Sequence, residues 1–314
     1  MKRTVFAIIM VGGLTFFAYE GFGFFDQILK PQPKKQESQS NQAQEGSQEQ
    51  PGLLDALGAF GVKKKEIDLL KKGVGVAQAL QPIGEEEEIT LGQAVAVEAF
   101  SRFGGEYHDE RLTRYVNLVG KTIADVSDRP NLNFHFAILN SQEQNAFAAP
   151  GGYIFVTIGL VKTLKNEAEL AGVLAHEVAH VTQKHMLETI RRGALLSNVS
   201  ELTLSAMNKD PQMFSDVIDE ITDKLFTKGL DKEKEYDADV HGVEFAYRAG
   251  YYPGGLRDYL VTLQSQEGQA QSRFFTTHPS TATRIAKIDS LLGRYADGMK
   301  FPMLTKRFQS YLGA

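Results

Sequence analysis

The chain has 314 residues, 42% of them hydrophobic, which is enough for one sizeable domain with additional segments. Its formal net charge of −5 at pH 7 gives no indication of nucleic-acid binding, and we expect no nucleic-acid partner. Cysteine is absent, which excludes disulfide bonds, cysteine-type metal sites and thiol catalysis.

The first 25 residues are a candidate export segment. Lys2 and Arg3 precede an apolar run over residues 5–18, and further apolar residues continue to Phe25. A basic start followed by such a run is typical of a signal peptide, whereas an extension to Phe25 suits an uncleaved membrane anchor. Both alternatives predict an extracytoplasmic protein of the periplasm or cell envelope. Membrane contact is expected only through residues 5–25, if they are retained.

Two segments are predicted between this start and the main domain. Residues 26–51 are rich in Gln, Ser, Glu and Lys, and from Pro31 to Pro51 they contain no apolar residue larger than alanine. Such a composition cannot bury enough surface to fold, so it predicts a disordered linker. Residues 52–83 are predicted to be an N-terminal helical extension with a helix over 66–80. This extension could pack on the main domain or occlude its functional site.

Residues 84–300 are predicted to form one α+β domain, mainly helical, with a small sheet of about three strands. The acidic run at 85–88 suits the first turn of a helix. Strand-forming residues occupy 133–139 and 153–157, and a Pro150–Gly152 turn precedes the second of these. Residues 301–314 are expected to be a C-terminal tail. Further helices are predicted at 87–103, 109–126, 210–228, 232–249, 254–266 and 280–294.

The helix that begins after Asn166 carries the most informative motif. Asn166 is a favourable N-cap, Glu169 follows three residues later as in a capping box, and an apolar stripe indicates a core helix. His176, Glu177 and His180 read H-E-x-x-H, so two imidazoles on one face could bind one Zn²⁺ at about 2.0–2.1 Å. Glu177 is turned roughly 100° around the axis and could reach a metal-bound water. The motif favours metal-assisted hydrolysis over a surface helix that carries these residues by chance.

A third ligand must come from elsewhere in the chain. Metzincin-type proteases continue the motif with a glycine and a third histidine, but Gln183 and Met186 occupy those positions. Without the glycine there is no reason for the helix to break, so His185 is expected to point away from the metal. Glu235 and Asp239 lie four residues apart on a later helix. One could bind zinc while the other accepts the outer ring N–H of a ligand histidine, although a solvated acidic helix start is the plainer alternative.

Asn145, Ala146 and Phe147 form a candidate substrate-binding segment before the Pro150–Gly152 turn. An extended peptide could pair with their backbone and so place its scissile carbonyl near the metal. Thermolysin-like enzymes use a similar Asn-Ala-Phe segment in this way. An ordinary hairpin fits the same pattern equally well.

His278 is a further candidate, because Pro279 holds the residue before it extended, as in a loop. It could act as a fourth metal ligand in a resting form or as a donor to the oxyanion that develops during hydrolysis. Its alternative is a helix cap or a surface position. Arg284 is a weaker candidate for the same electrostatic role, and His135, within a predicted strand, is expected to be structural.

Several motifs together resemble the HtpX/CAAX-protease-type zinc metallopeptidase family over roughly residues 84–293. Within it the chain is most similar to the soluble cell-envelope BepA-like branch, but without the helical-repeat domain of some relatives. One departure is that residues 229–232 stand where family members often carry Ser-Arg before the ligand glutamate. The motifs that carry the resemblance are His176–His180, Glu235–Asp239, Asn145–Thr157, Gly84–Gly92, Ala249–Pro253 and Thr277–Ile285.

The resemblance implies a zincin-type fold of the gluzincin class with one Zn²⁺ per chain, held by His176, His180 and Glu235. It also implies Glu177 as general base on a zinc-bound water and Asp239 as the partner of a ligand histidine. The expected function is a zinc metalloendopeptidase acting on extracytoplasmic proteins or peptides, which the resemblance suggests are misfolded or damaged. The alternative is a zinc-containing, chaperone-like binding protein whose closed site seldom hydrolyses.

Overall fold

The computed structural model describes residues 7–11, 14–18, 83–196, 211–265, 278 and 281–313. The chain forms two compact units, residues 1–81 with 195–201 and residues 82–194 with 202–314. In the first unit, strands β1 (Ala7–Val11) and β2 (Leu14–Ala18) pair antiparallel. The predicted linker 26–51 and the predicted helix 66–80 lie outside the described residues. Within the described ranges, no helix combines the length and the apolar character needed to span a membrane.

The second unit is mainly helical and contains one small sheet, which confirms the predicted α+β class. Strands β3 (His135–Leu139), β4 (Ala146–Ala149) and β5 (Tyr153–Thr157) form this sheet in the order β3-β5-β4. A π-helical segment, Lys224–Lys228, directly follows the helix over Pro211–Asp223. The helices are α1 (Glu85–Arg102), α2 (Glu110–Ala124), α3 (Ile158–Val161), α4 (Glu167–Thr182), α5 (His185–Leu196), α6 (Pro211–Asp223), α7 (Lys232–Arg248), α8 (Gly255–Ser265), α9 (Thr281–Leu292) and α10 (Thr305–Leu312).

Strand β5 is the central strand, and all five of its residues are buried. It pairs parallel with β3 and antiparallel with β4, where Ala146 lies opposite Val156. Gly151 and Gly152 make the turn between β4 and β5 with φ of +73° and +89°, a backbone conformation that favours glycine. The turn leaves β4 as an edge strand of the described sheet.

Helix α4 is the centre of the unit, because every one of its residues is buried. Its start agrees with the sequence signal: the Asn166 side chain accepts a hydrogen bond from the Glu169 N–H at 2.9 Å. The Glu169 carboxylate accepts in turn from the N–H of Lys165 at 2.8 Å. A helix that is buried on all sides holds its side chains in fixed positions, as a metal or catalytic site requires.

Helices α7 and α8 approach α4 closely where glycines remove the side chain. A Cβ at Gly172 of α4 would lie 2.2 Å from the backbone nitrogen of Leu256, and one at Gly242 of α7 would lie 3.0 Å from that of His176. This close approach places α7 directly against α4 at His176. Helix α10, within the stretch predicted as a tail, packs on α2 and α4 with Phe308 fully buried.

Candidate metal centre

Four buried side chains from three parts of the unit converge beside α4. His176 and His180 come from α4, Glu235 from the first turn of α7, and His278 from the segment before α9. One nitrogen or oxygen from each lies within 4.8 Å of the others. The Nε2 atoms of the two α4 histidines are 3.1 Å apart, and each is 3.5 Å from a carboxylate oxygen of Glu235. The structure thus brings together the three predicted ligands and the loop histidine.

This donor set fits a divalent metal ion by geometry. Zinc bonds of about 2.0–2.1 Å in a tetrahedron place neighbouring ligand atoms about 3.3 Å apart. The separations of 3.1, 3.5 and 3.5 Å among His176, His180 and Glu235 lie close to that value. Oε1 of Glu235 is buried and has no hydrogen-bond partner among the described residues, so it is available as a ligand atom.

The charge of the cluster points to the same kind of ligand. Three buried carboxylates, Glu177, Glu235 and Asp239, face one buried guanidinium, that of Arg284. With ionised carboxylates and the neutral histidines that metal binding requires, these groups carry a formal charge of −3 + 1 = −2 in a buried site. Because uncompensated buried charge is strongly unfavourable, a divalent cation would balance this cluster.

His278 lies inside the cluster rather than on the surface. Its Nδ1 is 2.7 Å from Oε2 of Glu235 and 3.4 Å from Nε2 of His176. Its Nε2 lies 3.3 Å from the carbonyl oxygen of Ala146 and 3.8 Å from Oε1 of Glu177. The ring therefore stands between the metal-ligand atoms and the edge strand β4.

Glu177 has the surroundings of a residue that reacts rather than one that supports structure. Both carboxylate oxygens are buried and have no hydrogen-bond partner among the described residues. Burial raises the pKa of Glu177, although the positive charges of His278 and His176 oppose that rise. A buried carboxylate without a hydrogen bond is suited to accept a proton from a bound molecule.

A small cavity of about 20 Å³ lies beside Glu177, His180 and His278. That volume is sufficient for roughly one water molecule. Phe147 of β4, Leu225 of the π-helical segment, and Gly229 and Leu230 complete its wall. The region in which the sequence departs from the family pattern thus lines the site.

Asp239 contacts the Nδ1 side of the His176 ring, and Arg284 pairs with Asp239. Oδ1 of Asp239 is 3.1 Å from Nδ1 of His176, and Arg284 donates two hydrogen bonds to the same carboxylate at 2.9 and 2.7 Å. Burial and the charge of Arg284 oppose protonation of His176, but hydrogen bonds to Asp239 and Glu235 outweigh them and raise its pKa to about 9. Burial would raise the pKa of Asp239, but Arg284 and His176 hold it below its usual range. Asp239 thus lies at the position expected of a ligand-histidine partner, and Arg284 lies behind it.

His185 lies outside the ligand cluster of the described residues, as expected, but the continuous helix expected after His180 is wrong. The chain does break after α4: Lys184 adopts φ of +55°, and α5 begins at the next residue. The ring of His185 therefore lies back on α4, with its Nδ1 3.0 Å from Nδ1 of His180. Its Nε2 is 3.1 Å from Oδ2 of Asp237. Sequence reasoning missed this contact because it looked for a glycine as the only residue able to end the helix there.

The predicted substrate-binding segment lies at the edge of the sheet beside the cluster. The backbone of Asn145 faces β5: its N–H donates to Oγ1 of Thr157, and its carbonyl accepts from the N–H of Thr157, both at 3.0 Å. The carbonyl of Ala146 points the other way, toward His278. Phe147 is buried and lines the cavity. His135, by contrast, stacks on Tyr153 in the sheet and has no part in the cluster.

Known proteins with similar sequences include several peptidases. The chain is 30% identical over 210 residues to the mitochondrial metalloendopeptidase OMA1 of Schizosaccharomyces pombe, covering 63% of this chain and 60% of that protein. It is 29% identical over 187 residues to the beta-barrel assembly-enhancing protease of Escherichia coli, covering 57% and 38%. A protease HtpX homolog of Salinibacter ruber is 26% identical over 187 residues, covering 50% and 67%. The chain thus spans less than two thirds of the length of the first two relatives.

The match to a family profile is more extensive than any single motif. The profile of peptidase family M48 matches residues 110–292, which is more than half of the chain. The match includes His176, His180, Glu235, His278 and Arg284, and so the whole buried cluster. It confirms the resemblance stated from the motifs: the chain belongs to peptidase family M48.

Proposed function

We propose that the chain is a zinc-dependent metalloendopeptidase that hydrolyses peptide bonds of extracytoplasmic proteins. One observation carries the proposal: the buried carboxylate of Glu177, without a hydrogen-bond partner among the described residues, stands beside two histidines and Glu235 at metal-ligand spacing. Membership of family M48 and the names of the similar metalloendopeptidase and protease support it. The basic and apolar start of the chain supports an extracytoplasmic location, in the periplasm or cell envelope.

The buried side chains divide into ligands, a base and supporting groups. His176, His180 and Glu235 would hold one Zn²⁺, which when bound lowers the pKa of water and polarises a carbonyl group. Glu177 takes a proton from the attacking water and returns it to the leaving nitrogen. Burial raises the pKa of Glu177, which favours holding the proton until it passes to the leaving nitrogen. Arg284 pairs with Asp239 and lies 3.5 Å from Oε2 of Glu235, so we assign it a supporting role beside the ligands.

A substrate peptide would pair with the outer edge of β4. The carbonyl of Ala146 points out of the sheet and is the acceptor that an added strand would use. His278 now contacts that carbonyl, so an added peptide requires the ring to move away. We assign to His278 a resting position in the metal site and, after displacement, a role as donor to the developing oxyanion.

Substitution of Glu177 tests the base assignment. Glu177→Gln should retain zinc but lose at least about 10²-fold of the cleavage of an unfolded protein such as casein, because no group accepts the proton. His176→Ala should lose both zinc and cleavage. The matched controls are Glu98→Gln and His108→Ala, which change exposed residues of the same two types outside the cluster. Cleavage by the Glu177→Gln chain at the wild-type rate would refute the assignment.

A second function is favoured by the small size of the cavity beside Glu177. A cavity of about 20 Å³ has room for roughly one water molecule, which fits a zinc-containing, chaperone-like binding protein that seldom hydrolyses its clients. Such a protein would suppress aggregation of an unfolded client without producing fragments, and Glu177→Gln would leave that suppression unchanged. Fragments that disappear on addition of a chelator decide for the peptidase.

A further inference from the structure

We propose that His185 and Asp237 are positioning residues that fix the ring of His180 for metal binding. The inference rests on the proposed zinc site, and it concerns the opposite side of the His180 ring from the metal. His185 Nδ1 lies 3.0 Å from His180 Nδ1, and His185 Nε2 lies 3.1 Å from Oδ2 of Asp237. The three side chains form one continuous row of hydrogen bonds from α4 through α5 to α7.

Only one arrangement of protons satisfies this row when His180 binds a metal through Nε2. The Nδ1 of a neutral ligand histidine then carries the hydrogen and must donate it. Nδ1 of His185 therefore accepts, which places the hydrogen of that ring on Nε2. That N–H in turn donates to the carboxylate of Asp237. Each member of the row fixes the tautomer of the one before it, and Nε2 of His180 remains free to bind the metal.

The backbone is bent in a way that serves this contact. Lys184 occupies the left-handed region at φ +55°, a conformation that is about 1–2 kcal/mol unfavourable for a residue with a side chain. The bend ends α4 and begins α5, so that His185 turns back onto the helix it has just left. An observed outlier beside a site indicates a function when surrounding contacts maintain it. Here the maintained contact is that of His185 with His180.

The other ligand histidine has an equivalent support. Nδ1 of His176 contacts Asp239 at 3.1 Å, just as Nδ1 of His180 contacts His185. Asp237 and Asp239 both come from α7, the helix that supplies Glu235. One helix therefore provides a ligand and, directly or through His185, the support of both ligand rings. A side chain that merely filled space beside His180 would not need to face Asp237 with its second nitrogen.

Zinc affinity of the full chain, measured by competition with a chromogenic chelator, tests the proposal. His185→Phe keeps a ring but removes the acceptor, and it should raise the zinc dissociation constant about 10–100-fold. His185→Gln should recover part of that affinity, since its amide oxygen can accept from the N–H of His180. Asp237→Asn should have a smaller effect than His185→Phe, because an amide oxygen can still accept from His185.

Glu188→Gln is the matched control. Glu188 lies on α5 one turn beyond His185 and pairs with Lys234 of α7, so this change disturbs the same helix contact without touching the row. It should leave the zinc dissociation constant unchanged. A His185→Phe chain with wild-type zinc affinity, whatever its unfolding free energy, would show that the ring only packs, and would overturn the proposal.

Three further outcomes complete the test and separate this inference from the proposed function. If His185→Phe does not fold, wild-type zinc affinity in both His185→Gln and Asp237→Asn overturns the positioning role. If the wild-type chain itself binds no zinc, the proposed metallopeptidase fails, and the positioning role fails with it. If the wild-type chain binds zinc and the variants bind it equally well, only the positioning role fails.

Discussion

The ion pair between Arg284 and Asp239 gives the sharpest prediction about stability. Both side chains are buried, the guanidinium donates two hydrogen bonds to the carboxylate at 2.9 and 2.7 Å, and Nη1 lies 3.5 Å from Glu235. Arg284→Met keeps the length of the side chain and removes its charge and donors. It leaves two carboxylates in the interior without their cation.

The expected loss follows from these contacts. Removing one partner of a buried ion pair costs about 3–5 kcal/mol, because the other charge remains buried and uncompensated. His176 reduces that cost, since its pKa of about 9 allows it to stay protonated and partly replace the guanidinium beside Asp239. We therefore expect Arg284→Met to lower the free energy of unfolding by about 3 kcal/mol, the lower end of that range. In Arg284→Met/Asp239→Asn the stranded charge is gone, so the double variant should lose about 1–3 kcal/mol less than the two single losses added together.

Urea unfolding of the metal-free chain at pH 7, with chelator present, measures these losses. The matched control is Arg257→Met, which removes an exposed arginine that pairs with Asp289 of α9 at 2.9 Å. An exposed pair contributes about 0–1 kcal/mol, so the control should stay within that range. A loss in Arg284→Met no larger than in Arg257→Met, or strictly additive losses in the double variant, would refute the reasoning.

Two further predictions concern residues outside the metal centre. Burial lowers the pKa of His135 to about 4, so the unfolded chain binds an extra proton, and stability is lost, as the pH falls from about 6.5 to 4. His135→Phe keeps the stack on Tyr153 but removes the titrating group. The free energy of unfolding, measured in urea, should therefore fall by about 1 kcal/mol less between pH 7 and pH 5 than in the wild type, allowing for the partial exposure of the ring. An unchanged loss would contradict the prediction. Gly172→Ala would place a Cβ 2.2 Å from the Leu256 nitrogen and should lower the free energy of unfolding by about 3 kcal/mol. In the control Gly293→Ala the new Cβ meets nothing within 4 Å, so the free energy of unfolding should change by less than about 0.5 kcal/mol. Equal effects of the two substitutions would contradict the argument.

The sequence predicted much of this centre because its information is local. The four-residue spacing of His176 and His180, and of Glu235 and Asp239, places each pair on one helical face regardless of the rest of the fold. The N-cap residue Asn166 predicted where the helix begins, because capping also depends only on residues close together in the sequence. The distribution of strand-forming and helix-forming residues along the chain was sufficient to predict the α+β class. The residue ranges of most helices of the main domain were right to within a few positions.

The contacts that sequence reasoning missed are long-range or depend on unusual backbone. Arg284 lies 45 positions from Asp239, and no periodicity along a single chain relates the two. The break at Lys184 occurs without a glycine, so neither the end of the helix nor the contact between His185 and His180 was predicted. Phe308 is buried by α2 and α4, helices far earlier in the chain, and so the last stretch was predicted to be a tail. Each of these positions is decided by packing that forms only after the helices meet.

Helix α7 shows why the centre needs all of these elements at once. It carries three acidic residues at alternate positions, Glu235, Asp237 and Asp239, two of which are buried. Burial disfavours the charged form of each buried carboxylate, and the helix could not keep them without nearby compensation. The compensation has separate sources: Arg284 for Asp239, and the surrounding histidines for Glu235. A divalent cation bound by the cluster would balance the remaining negative charge, so we expect metal binding and the stability of this part of the fold to be coupled.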